Sequence, residues 1–350
     1  MKAFFENIRI VGIQAYLPER NFELTDLSVD FGEYEVTKII ETTGIHRVRM
    51  AAENETSSDM CFNAAESLIE SLGIDRQEIT GLIFASQTPD FILPSSAVIL
   101  QGRLGLSQET VCFDIPYGCS GYIYGLYLAS MLISSHSCKN VLVLAGDTST
   151  RMVNPRDKAV KMVFGDAGSA TLVTEGTSTI SFSIHSDGTR YKDLIIPAGM
   201  FRNPSTAATK EVTERENHNW RSDEDIFMDG MEIFDFAIHE VPADINTVIE
   251  SMNWTKEEVG ILALHQANDY MVNYIRKKLK IDKTKTPVAV ENYGNTGPAS
   301  IPLALCESLH DASDTASLKK SILSGFGVGL SWGSIACDLS ETHFFKPINK

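Results

Sequence analysis

The chain has 350 residues, 43% hydrophobic and 22% charged, with a formal net charge of −16. That is enough for one large domain or two ordinary ones with a full core. No apolar run reaches the ~20 residues of a membrane helix, and so acidic a surface argues against nucleic acid as a partner.

The opening "MKAFFENIRIVGI" has neither a long apolar stretch nor a small-residue cleavage site. It does not read as a signal peptide, and cytoplasmic residence is expected. The first strand is "IRIVGIQAYLP". A helix follows from about Ser58 to Leu72, with Ser57 or Ser58 as its cap and Gly73 at its end. "GLIFAS" (Gly81 to Ser86) and "VLVLAGD" (Val141 to Asp147) are continuous apolar runs, as in strands covered on both faces. "MVFGDAGSATLVT" and "ISFSIHSDG" read as a hairpin-like pair. Residues 199–225 are polar and without periodicity, a long surface excursion that is either a lid or a tolerated insertion.

The second half repeats the plan. A helix near Met231 to Met252 leads to the strand "VGILALH", then the helix "NDYMVNYIRKKLK", the strand "PVAVEN", a turn and the helix "PASIPLALCESL". The end, "SILSGFGVGLSWGSIACDL", is two strands around a Gly-rich turn. The expectation is an α/β fold of duplicated halves, residues 1–178 with a reactive Cys and residues 179–350 with a His and an Asn.

The six cysteines form no CxxC pair, so their spacing shows neither a zinc site nor a disulfide framework. Cys119 stands apart. Gly118 precedes it and Ser120-Gly121 follow, where a strand gives way to a helix. Free N–H groups and the helix dipole at such a terminus stabilise a thiolate and can hold an oxyanion. His265 ends a buried strand, and Asn295 lies in a turn between Gly294 and Gly297. A neutral imidazole could orient the thiol or donate to a thioester oxygen. Asn cannot be a base, so it is either a donor to a carbonyl or enolate oxygen, or the residue that orients His in a Cys-His-Asn hydrolase. Gly325, Gly327 and Gly329 would let backbone approach a ligand; without the Lys and Ser/Thr of a P-loop, they form no phosphate loop. The densest basic stretch, "IRKKLKIDKTK", holds Arg276, Lys277 and Lys278.

Taken together, "TGIHRVRM", "TPDFILPSSAVILQGRLGL", "YGCSGYIYGL", "VFGDAGSA", "LHQAN", "GNTGPASIPLAL" and "GFGVGLSWGS" resemble β-ketoacyl-acyl-carrier-protein synthase III, of the thiolase superfamily, nearly end to end. The resemblance implies a thiolase-like fold, layered α-β-α-β-α, in a homodimer. It implies Cys119 as the acylated nucleophile and His265 and Asn295 as the enolate-stabilising pair. Phe326 and Gly327 would lie near the reacting centre, and Asn268 is the last residue of the "HQAN" motif. The amides of Cys119 and Val328 would form an oxyanion hole. Leu93 would reach the partner subunit's acyl pocket, and Arg276, Lys277 and Lys278 would dock an acyl carrier protein. The substrates would be acyl and malonyl thioesters carried on phosphopantetheine, with no metal and no other cofactor.

Four positions depart from the family pattern. Lys38 and Lys158 stand where a Trp and an Arg clamp the adenine of coenzyme A, which predicts a weaker grip on that donor. Tyr270 replaces an Arg of the carrier-docking patch. Val328 stands where Gly is frequent, so its φ must suit a β-branched residue. The alternative function is a thiolase-fold acyltransferase that moves an acyl group to a hydroxyl or amine. A non-catalytic partner subunit is a third class, opposed by the presence of Cys119.

Overall fold

A computed structural model describes residues 1–349. The first layer is the helix Ser57–Leu72. Its cap is Thr56, one residue before the expected serines: the Thr56 hydroxyl accepts from the Asp59 amide, while the Asp59 carboxylate accepts from the Thr56 amide. Such a reciprocal cap contributes about 1 kcal/mol. The helix packs its Met60, Ala64, Ala65 and Leu68 face on the first sheet.

That sheet runs His343–Phe344, Ile8–Leu17, Ala167–Glu175, Asn140–Asp147, Ile79–Ala85, Val111–Ile115, and Ile348–Asn349 also pairs with Ile8–Leu17. The second sheet runs Lys2–Phe5, Ile180–Ser186, Ser331–Cys337, Ser321–Gly327, Ile261–Leu264. Between them lie the helices Gly121–Ser134 and Ser300–Leu309, whose side chains share one core with both sheets. The helices Gly230–Ser251 and Asp269–Leu279 cover the outer face of the second sheet. This is the expected five-layered order.

The halves 1–178 and 179–350 each supply most of one sheet, but they exchange their ends. Lys2–Phe5 joins the second sheet, and the two C-terminal strands join the first. Two sequence expectations fail. Ala167–Glu175 and Ile180–Ser186 are strands, but they lie in different sheets and do not form a hairpin. Each is buried on both faces, so its sequence lacks the alternation that tells a hairpin with one wet side from a crossing between layers. "PVAVEN" is not a strand. The buried Gln266 side chain donates to the Pro287 carbonyl and accepts from the Ala289 amide, satisfying the backbone without a ladder, and Val290–Tyr293 is a single helical turn.

Residues 199–225 form an excursion whose turns are fastened down. Arg221 pairs with the buried Asp157 at 3.1 Å and with Glu216 at 2.7 Å, and the Arg156 guanidinium lies over the Trp220 ring at 4.1 Å. At its base, Leu194–Ile195 pairs with Phe227–Met228.

Candidate active site

Every reactive residue lies where a strand or turn hands over to a helix. After Val111–Ile115 the chain turns through Tyr117 and Gly118, places Cys119, and starts the helix at Gly121. A Cβ at Gly118 would come within 2.2 Å of Gln87 Oε1, so a larger residue there would have to push the Gln87 carboxamide aside. His265 extends the strand Ile261–Leu264 by one ladder bond, its amide donating to the Ser324 carbonyl at 2.8 Å. Asn295 is fixed through its backbone, with its amide on the Val163 carbonyl at 2.8 Å and its carbonyl accepting from Gly165 at 3.0 Å.

These three residues, 265 and 295 from one half and 119 from the other, line one cavity of about 90 Å³. Phe164, Phe326, Met271 and Ile233 make its walls apolar. Gly327 and Asn268 also line it. Asn268 caps the helix Asp269–Leu279, its side-chain oxygen accepting from the Met271 amide at 2.7 Å. Phe326 stands edge-on to the His265 ring at a centroid distance of 5.4 Å.

The polarity of the site follows from its hydrogen bonds. The Gly297 amide donates to Asn295 Oδ1 at 3.0 Å. This fixes the carboxamide orientation and leaves its NH₂ toward the Cys119 sulfur, where the Asn295 side chain makes a hydrogen bond. The N–H groups of Val328 and of Cys119 itself also reach that sulfur. Gly327 and Gly329 take the positive φ values, +157° and +136°, so Val328 needs no left-handed backbone.

Burial pushes the Cys119 thiol up to about 12, with the Asp147 charge adding to the rise. The hydrogen bonds from Val328, Cys119 and Asn295 offset only part of this. The acidification expected from the helix terminus is thus outweighed by desolvation. His265 is buried and pushed down to about 3 by the same cause, partly opposed by a backbone contact with Gly297. It is a neutral imidazole at any working pH. Its Nδ1 lies 2.7 Å from Ser300 Oγ, an anchor that sequence reading missed although Ser300 lies inside a quoted motif. Also missed was Asp147, 1% exposed, at the end of its strand beside Cys119. A charged residue closing the apolar run "VLVLAGD" was its signal.

The remaining expected residues lie apart from the thiol. Leu93 is 79% exposed and lines neither cavity at Cys119. Arg276 turns back on its own helix end, donating to the Ile281 carbonyl at 3.0 Å and to Asn273 at 3.4 Å. Lys278 donates to the Ile238 carbonyl at 2.7 Å. Arg276 and Lys277 border the surface groove that also holds Tyr270 and Lys283, and Lys278 does not. Lys158 forms a 3.2 Å ion pair with Glu35, on the helix that carries Lys38, so no flat ring stands at either position.

Residues 113–188 match the family model for 3-oxoacyl-[acyl-carrier-protein (ACP)] synthase III, and residues 249–339 match its C-terminal model. The chain is 33% identical over 334 residues to a β-ketoacyl-[acyl-carrier-protein] synthase III of Caldanaerobacter subterraneus subsp. tengcongensis, covering 93% of this chain and 96% of that one. The chain belongs to the 3-oxoacyl-[acyl-carrier-protein] synthase III family. A Clostridioides difficile protein of the same description is 34% identical over 339 residues, covering 93% and 96% of the two chains. Among solved structures, a 3-oxoacyl-(acyl-carrier protein) synthase of Burkholderia xenovorans LB400 superposes with a TM-score of 0.92 at 33% identity, covering 100% of this chain and 99% of that one. The family's thiolase-like fold is therefore the fold of this chain. Among the described residues no group of His, Cys, Asp and Glu could hold a metal ion, and no helix is long and apolar enough to cross a membrane.

Proposed function

We propose that the protein catalyses decarboxylative Claisen condensation. Cys119 attacks an acyl thioester; the acyl group moves to its sulfur and the thiol proton leaves with the departing thiol. A malonyl thioester on an acyl carrier protein then loses CO₂. The enolate oxygen accepts hydrogen bonds from the Asn295 NH₂ and His265 Nε2–H, and the enolate carbon attacks the acyl-Cys119 carbonyl. The amides of Cys119 and Val328 hold the oxyanion at that carbonyl. Collapse gives a 3-oxoacyl thioester and expels the Cys119 thiolate, which takes up a proton from solvent to regenerate the thiol, in fatty-acid or specialised lipid biosynthesis.

The observation that carries this reading is the fixed donor at Asn295. With Oδ1 taken by the Gly297 amide, the side chain presents only N–H to the thiol. His265, held neutral at about 3, is too weak a base to activate water, a hydroxyl or an amine. Both points favour an enolate clamp over the acyltransferase alternative. In this reading the Ser300 hydroxyl, 2.7 Å away, donates to His265 Nδ1, and the ring proton sits on Nε2.

Three further readings belong to this proposal. The protein acts as a homodimer. Val111–Ile115 is a sheet edge with one side unpaired, and Val111, Phe113 and the 91–93 turn beside it are exposed apolar groups. Leu93 would then reach the partner's acyl pocket. Lys277 is the main cation left for an acidic carrier, since Arg276 and Lys278 hold backbone carbonyls. The six unpaired cysteines suit a reducing cytoplasm. Intact-mass analysis with a panel of acyl-CoA and acyl-carrier thioesters tests the core of this reading. It predicts one acyl adduct, lost in Cys119→Ala; an adduct that survives that substitution contradicts it.

A further inference from the structure

The condensation uses Cys119, His265 and Asn295, and leaves a second set of polar side chains beside the thiol without a task. A larger cavity, about 180 Å³, opens on the other side of Cys119. Its walls include Met152, Leu194 and Ile226 from the base of the excursion, yet Gln87, Asp147 and Ser149 line it too. Asp147 and Ser149 are 1% and 2% exposed.

Asp147 is held in one orientation. Its Oδ1 accepts from Ser86 Oγ at 2.8 Å, the Gln87 amide at 2.7 Å and Thr88 Oγ1 at 3.2 Å. No side-chain donor reaches Oδ2 among the described residues. Oδ2 lies against Gly297, where a Cβ would approach to 2.9 Å and crowd it. The Gln87 carboxamide and the Ser149 hydroxyl likewise have no hydrogen-bond partner among the described residues. An alkyl chain filling this space would displace water from all three groups and replace none of its hydrogen bonds. A chain with a hydroxyl would replace them, and sites built to bond a hydroxyl reject the analogue that lacks it far more strongly than apolar pockets reject an extra methylene.

We propose that the acyl group loaded on Cys119 is a short chain bearing a hydroxyl, which donates to Asp147 Oδ2 with Ser149 and Gln87 beside it. This rests on the condensing reading, because it names the acyl donor of that same site. A water-sized group takes about 30 Å³, so the cavity holds about six heavy atoms.

The test compares rates of Cys119 acylation, read by intact mass, at pH 8. Burial pushes the Asp147 carboxyl up to about 7, so at that pH it is mostly ionised. The donors are butanoyl and pentanoyl carrier thioesters with a hydroxyl, a methyl or an oxo group at carbon 3 or 4. At one position the hydroxyacyl group should load at least tenfold faster than its methyl isostere. Asp147→Asn turns the acceptor facing the cavity into a donor, so the ratio of oxo to hydroxyl loading should rise at least tenfold. Ser149→Ala, the milder change, should shrink the hydroxyl advantage severalfold. Methyl equal to or faster than hydroxyl at both positions would overturn the proposal, as would ratios unmoved in both variants. Loading without hydroxyl preference sinks this inference alone; no adduct on Cys119 from any thioester sinks the condensing reading with it.

Discussion

Replacing Asn295 by Ala separates the two half-reactions. The Asn295 side chain has two jobs. Oδ1 accepts the Gly297 amide at 3.0 Å, which shapes the turn, and the NH₂ points into the cavity beside Cys119. Alanine leaves the Gly297 amide without its acceptor, a stability cost of about 1–3 kcal/mol. It also removes one of two enolate donors. Loss of one such donor in a dry site costs about 2.7–4 kcal/mol, or roughly 10²–10³ in rate. Acylation of Cys119 needs the backbone amides at 119 and 328 and no enolate donor, so it should fall by less than tenfold. Asn295→Asp keeps the acceptor for Gly297 and deletes the donor, so it should retain more stability and be equally slow in decarboxylation. The assay is a two-step one: acyl-Cys119 formation by intact mass, then CO₂ release after adding malonyl-carrier protein, with thermal melts as the control. Decarboxylation spared while acylation is abolished would refute the reasoning and assign Asn295 to a hydrolase-like role.

Three other outcomes follow from the same geometry. Gly327→Ala places a Cβ 2.8 Å from Cys119 Cβ and 3.0 Å from its sulfur at a φ of +157°, so acyl-Cys119 formation should be abolished while the fold survives; normal acylation refutes the close approach. Because burial raises the Asp147 carboxyl to about 7 from about 3.8, its contribution to stability is fully present below pH 3.8 and is lost as pH rises through 7. Asp147→Asn should therefore gain on the parent protein between pH 4 and pH 8, by up to about 4 kcal/mol at 1.36 kcal/mol per pH unit; a pH-independent difference in denaturant melts contradicts this. Lys277→Glu should slow acyl transfer from a carrier protein more than transfer from the matching acyl-CoA, whereas Arg276→Ala should chiefly lower Tm, since Arg276 caps its own helix. Equal effects of Lys277→Glu on the two donors would remove Lys277 from the docking surface.

Strands and helices of the interior were legible where one local signal was enough. "GLIFAS" and "VLVLAGD" are buried strands, Gly73 ends its helix in the left-handed conformation, and the Gly-rich stretch turns at 328–330 between two antiparallel strands. Cys119 and Asn295 could be picked from motifs because each sits in a turn that glycines mark in sequence, and His265 because a polar residue closes an apolar strand. What escaped depends on partners distant in the chain. Which sheet receives Ile180–Ser186 is decided by Ser331–Cys337, some 150 residues later. "PVAVEN" has strand composition, yet a buried glutamine takes its hydrogen bonds. Arg276 and Lys278 look like free cations until the carbonyls they hold are seen. The helix terminus beside the Cys119 thiol is visible in sequence, whereas the burial that pushes the thiol up is not.

The central claim is that carbon–carbon bond formation is driven by decarboxylation on acyl-Cys119. One single-turnover experiment tests it most directly. Enzyme loaded with an acyl group on Cys119 is mixed with malonyl-carrier protein carrying ¹³C in the free carboxyl. The account predicts labelled CO₂ and 3-oxoacyl-carrier protein in equal amounts, each matching the acyl group lost from Cys119, and no label in the product. Departure of the acyl group to water, a hydroxyl or an amine while the malonyl group stays intact would contradict it.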